Sequence, residues 1–265
     1  MQIGSGTRAV VTGASRGIGR AVAEALAARG ATVGLAARSA PDLAALAEQL
    51  PGSHEVLVCD VALPASIATA IEDFVATAGG LDLLVANAGI AHYEPIATQS
   101  LQKIEDMTSV NWLGTVYTVK AALPFLLDSG AGHIVVMSSG AGLRGFPGAA
   151  AYSATKAAQR MFAEALRHEL AGTGVSVTTV YPGEIRTSLH DHERSRMPEW
   201  YRGGPDAASP QALAELVVGA VERDSRTLHY RRLVKGMGIL NGVSPRAADR
   251  VLRRLRGPTA APRRD

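Results

Sequence analysis

Thr12-Gly13-Ala14-Ser15-Arg16-Gly17-Ile18-Gly19 is the stretch on which the reading of the fold turns. It follows the apolar run Ala9-Val10-Val11 and passes directly into Arg20-Ala21-Val22-Ala23-Glu24-Ala25-Leu26-Ala27-Ala28-Arg29, which has helical composition. A strand, a glycine turn and a helix in succession bring free backbone N–H groups and the positive end of a helix dipole to one point, which suits a phosphate. The glycines have separate tasks: one makes the tight turn, one lets the backbone approach a pyrophosphate, and one lets the helix pack closely on the strand. The expected ligand is a dinucleotide, with Gly13, Ser15, Arg16, Gly17, Ile18 and Gly19 around its phosphates. The spacing Gly-x-x-x-Gly-x-Gly is looser in its first half than the commoner Gly-x-Gly-x-x-Gly.

Outward from this turn, short β-branched runs alternate with alanine-rich helical runs, the pattern of βαβ units and a parallel sheet. Strands are predicted at Arg8–Val11, Thr32–Ala36, Glu55–Cys59, Leu81–Ala86, His133–Met137 and Val175–Tyr181, with a seventh near Thr227–Tyr230. Helices are predicted to start near Gly17, Pro41, Pro64, Leu101, Tyr152 and Pro210. The prolines stand where a missing N–H costs nothing. The expected architecture is an α/β, single-domain, Rossmann-type doubly wound parallel sheet of about seven strands with helices on both faces. Its ligands belong outside the carboxyl ends of the strands.

Those carboxyl ends are polar or glycine-bearing although the strand bodies are apolar. The second ends at Ala36-Ala37-Arg38, where a dinucleotide fold reads the adenosine ribose. An acidic residue there would accept from the ribose 2′-OH and repel a 2′-phosphate; Arg38 does the opposite, and Arg16 adds a second cation. NADP(H) is therefore favoured, with NAD(H) as the near alternative. The third strand ends at Asp60-Val61, with Asp60 placed to accept from an adenine amino group or to cap the next helix. The fourth ends at Asn87-Ala88-Gly89, whose small residues let the chain pass close to a flat ligand; the fifth ends at Ser138-Ser139-Gly140 and the sixth at Pro182-Gly183.

Tyr152 and Lys156 are four residues apart at the start of a helix and so project from one face. A phenol with a pKa of about 10 is a poor base at neutral pH, but a nearby ammonium favours its ionised form. Together, Thr12-Gly13-x-x-x-Gly17-x-Gly19, Asn87-Ala88-Gly89, Asn111, Ser139, Tyr152-x-x-x-Lys156 and Pro182-Gly183 resemble the short-chain dehydrogenase/reductase family, its non-extended branch, in order and spacing over roughly residues 7 to 190. The resemblance implies an oxidoreductase that interconverts a ketone and a secondary alcohol. By it, Tyr152 is the general acid and base, Ser139 holds the carbonyl oxygen, and Lys156 lowers the tyrosine pKa and binds the nicotinamide ribose. Asn111 anchors a water that relays protons to Lys156, and Thr187 bonds the nicotinamide carboxamide. A dinucleotide-sensing protein without chemistry is the reading from another class, and it has no need of Ser139, Tyr152 and Lys156 together. Residues 187 to 209 take the place of the family's variable substrate lid, and Met197, Trp200 and Tyr201 with Ile90, Leu143 and Phe146 are candidates to close over an apolar substrate. His190-Asp191-His192-Glu193 is read as solvated lid charge, and no metal is expected.

At 265 residues and 47% hydrophobic content the chain can bury a large core, and its 5% aromatic content leaves Ala, Val and Leu to fill it. No secretory signal or membrane-length apolar run is present, and Cys59, the single cysteine, excludes an internal disulfide, so a cytoplasmic location is expected. The charge is asymmetric: residues 223 to 265 hold 12 Lys/Arg against 3 Asp/Glu, while the whole chain is only +3. The basic character belongs to the tail and gives no ground for a nucleic-acid-binding core. Residues 1–230 are thus read as the catalytic domain and 231–265 as a basic extension, departing from the Gly-rich close of many relatives. In that extension Ser244-Pro245 opens a helix on which Ala248, Val251, Leu252 and Leu255 share a face among Arg246, Arg250, Arg253, Arg254 and Arg256. Such a helix docks on its own body or a second subunit, or meets an anionic membrane or acidic protein. A homodimer through the helices after Leu101 and Tyr152 is expected, and the family's tetramer is in doubt.

Overall fold

The computed structural model describes residues 1–186, 208–230 and 232–256. The alternation of apolar side chains along the strands divides them between two helical layers. Ala9, Val11, Leu83, Val85, Val135 and Met137 face one layer, where they meet Val22, Leu26, Leu43, Leu46, Leu213 and Val217. Val10, Leu84, Ile134 and Val136 face the other, with Ile67, Phe74, Val119, Leu126, Ala163 and Leu166. Both faces of each central strand are therefore covered, as a parallel sheet requires.

The strands are β1 (Arg8–Thr12), β2 (Thr32–Ala37), β3 (Glu55–Val58), β4 (Leu83–Ala86), β5 (His133–Met137), β6 (Ser176–Tyr181) and β7 (Thr227–His229). They form one seven-stranded sheet in the order β3-β2-β1-β4-β5-β6-β7, parallel throughout. The expected doubly wound sheet is observed, and each strand lies within two residues of its expected bounds. The order reverses between β1 and β4, which opens a crevice at their carboxyl ends.

One helical layer holds α1 (Gly17–Ala27), α2 (Ala40–Gln49) and α7 (Pro210–Glu222); the other holds α3 (Pro64–Ala78), α5 (Gly114–Asp128) and α6 (Ala150–Glu169). Between α4 (Leu101–Met107) and α5 the chain does not break but loosens into a π-helical turn over Thr108–Leu113, which carries Asn111. Such turns re-aim a side chain within an otherwise continuous helix. Cys59, just past β3, is buried, and burial pushes its thiol up to about 11.

The tail differs from expectation in one respect. The helix opened by Ser244 is present as α9 (Pro245–Arg256), with the Ser244 hydroxyl accepting from the Ala247 amide at 3.3 Å. The preceding stretch, for which no helix was expected, forms α8 (Arg232–Val243) despite Gly236, Gly238 and Gly242. Tertiary packing outweighs the helix cost of those glycines. Val234 approaches Gly140 and Gly183, Gly238 approaches Leu143, Asn241 donates to the Leu143 carbonyl at 3.3 Å, and Ala248 is fully buried. The hairpin thus packs on its own body. Among the described residues, no helix is long and apolar enough to cross a membrane.

Candidate active site

The glycine turn is held by sterics. Gly13 and Gly17 have φ of +69° and +59°, a region that side chains avoid. At Gly19 a Cβ would lie 2.2 Å from the Gly13 carbonyl oxygen and 2.5 Å from Asn87 Nδ2, so only glycine lets α1 start this close to β1. Arg16, the residue before α1, offers no side-chain acceptor to the first free amides of the helix, which are left for a ligand.

β4 is stitched to this turn. The Thr12 hydroxyl accepts from the amides of Asn87 and Ala88 at 3.0 and 3.1 Å, and Asn87 Nδ2 donates to the Thr12 carbonyl at 2.9 Å. Beyond it, Asn111 is fully buried, and its amide clamps Ile90 from both sides. Oδ1 accepts from the Ile90 amide at 2.8 Å, and Nδ2 donates to the Ile90 carbonyl at 2.9 Å and to Thr155 Oγ1 at 3.1 Å. The Asn111 main-chain carbonyl accepts from Gln159 Nε2 at 2.9 Å and Thr115 Oγ1 at 2.7 Å. A Cβ at Gly89 would stand 3.2 Å from Asn111 Oδ1 and 3.5 Å from Lys156 Nζ, so position 89 leaves little room between those two groups.

β5 positions the titratable pair. Ser138 Oγ donates to the Lys156 carbonyl at 2.8 Å, fixing α6 to the strand, and Lys156 Nζ donates to the Met137 carbonyl at 3.0 Å. Lys156 Nζ lies 5.9 Å from the centre of the Tyr152 ring. Tyr152 and Lys156 are both only 4% exposed, and this burial governs their protonation. It pushes the Tyr152 phenol up to about 12, a rise that a hydrogen bond with Ser139 opposes. It pulls the Lys156 ammonium down to about 7. The expectation was that the neighbouring ammonium favours the ionised phenol; here loss of water dominates both groups, and the Tyr152 pKa stands raised.

One cleft runs between these parts, lined by Gly13, Arg16 and Gly17 at one end and by Ser139, Tyr152 and Lys156 at the other, with Asn87–Ile90 and Pro182–Gly183 along its sides. The model of the short chain dehydrogenases matches residues 7–198. The chain belongs to the short-chain dehydrogenase/reductase family. A Myxococcus xanthus protein known as an uncharacterized oxidoreductase is 40% identical over 193 residues, which are 72% of this chain and 76% of its own. A family structure from Burkholderia phymatum, solved in complex with NAD, matches with a TM-score of 0.85 at 25% identity, over 98% of this chain and 100% of that one. Another, from Mycobacterium marinum, matches with a TM-score of 0.79 at 29% identity, over 86% and 94% of the two chains.

Within this short-chain dehydrogenase/reductase the expected residues do not all reach the same place. Gly13, Arg16, Gly17, Ile18, Asn87, Ala88, Gly89, Ser139, Tyr152, Lys156, Pro182 and Gly183 line the cleft. Arg38, Asp60 and Val61 stand outside it, at the ends of β2 and β3: Arg38 is exposed, and Asp60 Oδ1 accepts from the Ala62 amide at 2.9 Å within the turn but does not cap α3, whose preceding residue Leu63 has no side-chain cap. Thr187, the charged run 190–193 and the aromatic lid residues lie outside the described residues. The backbone around that segment is pinned, since Arg186 N donates to the Ala208 carbonyl at 2.8 Å and Ile185 lines the cleft.

Of the apolar candidates, Ile90 lines the cleft, Phe146 stacks on Tyr93 at 6.2 Å, and Leu143 lies under Gly238 of α8. Tyr93 was missed by sequence reasoning. It is fully buried and meets the Tyr152 ring edge-on at 5.6 Å, setting the plane of the phenol. No periodic pattern marks the loop that carries it.

Proposed function

We propose that this short-chain dehydrogenase/reductase is an NADP(H)-preferring oxidoreductase that interconverts a ketone and a secondary alcohol. The observation that carries the reading is the single cleft joining the glycine turn to Ser139, Tyr152 and Lys156. Its residues fit a dinucleotide: uncapped amides and Arg16 for phosphates, Ala88 and Gly89 for a flat ring, and Tyr152 and Lys156 for ribose hydroxyls. Exposed Arg38 and Arg16, with no acid at the end of β2, support a 2′-phosphate on the adenosine ribose. A bound nicotinamide dinucleotide supplies the hydride chemistry.

The remaining work falls to this chain. In reduction the Tyr152 hydroxyl gives its proton to the carbonyl oxygen of the substrate, while Ser139 Oγ holds that oxygen by a hydrogen bond. The raised phenol pKa keeps Tyr152 protonated, the state an acid requires. In oxidation Tyr152 must first give up its own proton toward solvent, and the phenolate oxygen then takes the proton of the alcohol. Lys156, anchored on Met137, places positive charge beside the phenol while it is protonated, a state that its pKa of about 7 makes dependent on pH. Asn111 holds the Gly89–Ile90 wall, and a relay water there would have to share Oδ1 with the Ile90 amide, which already donates to it. A homodimer through α4–α5 and α6 is part of the reading, supported by exposed Leu101, Leu127 and Met161 on those helices.

Preference for NAD(H) is the second reading, favoured by the NAD complex of the Burkholderia relative. Turnover with the two cofactors separates them. Arg38→Asp is expected to lower kcat/KM for NADPH by about 10- to 100-fold, the scale of one or two charge-assisted hydrogen bonds, and to invert the cofactor ratio. Tyr152→Phe is expected to bind NADPH normally and to lose about 100-fold or more in turnover. Full turnover in that variant overturns the acid role.

A further inference from the structure

The loop after Ser139 runs over Gly140–Phe146, and its two ends touch the chemistry. Ser139 lines the cleft together with Tyr152, and Phe146 stacks on Tyr93, which meets the Tyr152 ring. The C-terminal hairpin supports this loop from outside. On α8, residues 234, 238 and 241 recur at helical spacing and all face the body. Val234 comes within 3.4 Å of where a Cβ would sit on Gly140 and 3.3 Å of the same point on Gly183, Gly238 packs on Leu143, and Asn241 donates to the Leu143 carbonyl. On α9, Asp249 is the only carboxylate in a helix that also carries Arg246, Arg250, Arg253 and Arg254. It follows buried Ala248 and pairs with Arg144 of the loop. The one acid of a basic helix thus stands where the loop offers a cation.

We propose that the α8–α9 hairpin sets substrate discrimination in this enzyme from behind the cleft, by bracing the loop after Ser139 rather than by lining the site. The Arg144–Asp249 pair and the Asn241–Leu143 hydrogen bond are its latch, holding Gly140–Phe146 in the shape that admits apolar ketones. Arg144, Asn241 and Asp249 are positioning residues. The inference rests on the carbonyl-reducing role proposed above.

The test compares the wild type with Arg144→Ala, Asp249→Ala and the exchanged pair Arg144→Asp/Asp249→Arg. Amide hydrogen exchange over residues 140–146 is followed, together with kinetics on acetone, cyclohexanone and acetophenone at saturating NADPH. Each single variant is expected to speed exchange in 140–146 and to raise KM for acetophenone about threefold, the scale of a partly exposed ion pair. The change falls on KM rather than kcat, NADPH affinity holds, and the exchanged pair restores the wild-type values. Val234→Ala, which removes packing behind Gly183, is expected to change the acetophenone-to-acetone ratio of kcat/KM about tenfold. Unchanged exchange in both single variants overturns the latch. So does a parallel loss for all three ketones and for NADPH affinity, because that is general destabilisation. If no ketone is turned over by the wild type, the reductase reading fails, and the exchange data by themselves still decide whether the hairpin holds the loop.

Discussion

At the glycine-turn end of the cleft and just beyond it the charged groups stand in water, whereas at the Tyr152 end they are sealed from it. Arg16 and Arg38 are exposed, and the turn owes its form to close packing such as that at Gly19, where an added Cβ would fall 2.2 Å from the Gly13 carbonyl oxygen. Tyr152 and Lys156 are almost wholly buried, with their proton affinities moved in opposite directions. The difference teaches that shape makes the first half of this site and desolvation makes the second. A shape is broken by adding atoms; a desolvated pair is altered by changing charge.

The largest break is expected at Gly19→Ala. The added methyl cannot coexist with the Gly13 carbonyl, so the turn must open; cofactor affinity should fall by about 100-fold and stability by about 1–3 kcal/mol, read by fluorescence titration and thermal melting. Lys156→Met probes the other half and should separate stability from function. With its pKa held near 7 against about 10.4 unfolded, Lys156 costs stability in full below pH 7, and the cost fades as pH rises toward the unfolded value. The variant should lose about 100-fold in turnover yet stabilise the cofactor-free protein at or below pH 7 by about 1–4 kcal/mol. A less stable variant at that pH would mean that the ammonium is better solvated than its burial indicates.

A smaller effect sharpens the same contrast away from the site. His133, at the start of β5, is 2% exposed, bonds Thr178 Oγ1 at 2.8 Å and lies 4.0 Å from Asp224. Burial pulls it down to about 4, against the opposing pull of Asp224. Between that value and the unfolded value of about 6.5, only the unfolded chain takes up the proton, so stability should fall as the solution is acidified through this window, by up to about 3 kcal/mol. His133→Gln, which keeps a donor toward Thr178, should flatten the dependence in melts taken across those pH values.

Much of the scaffold was legible because its causes are local. The turn, the strand ends and the proline-marked helix starts are properties of a few adjacent residues, and the order of glycine, asparagine, serine and tyrosine motifs predicts one cleft. What escaped has non-local causes. Gly236, Gly238 and Gly242 argue against a helix, and α8 exists because Val234 and Gly238 find Gly140, Gly183 and Leu143. The π-helical turn at Asn111 leaves no mark on a period of 3.6 residues, and Tyr93 sits in a loop without any period. The rise of the Tyr152 pKa reflects how much water the fold removes, and Tyr-x-x-x-Lys spacing carries no measure of that.

Cys59 has a practical consequence. Its thiol is shielded beyond β3 and remains protonated at physiological pH, with its pKa raised to about 11. Alkylating reagents and mild oxidants therefore find almost no thiolate to attack. The native chain is in effect a blank background for conjugation chemistry: a cysteine engineered onto the α8–α9 surface would be the sole reactive handle for a fluorophore or spin label.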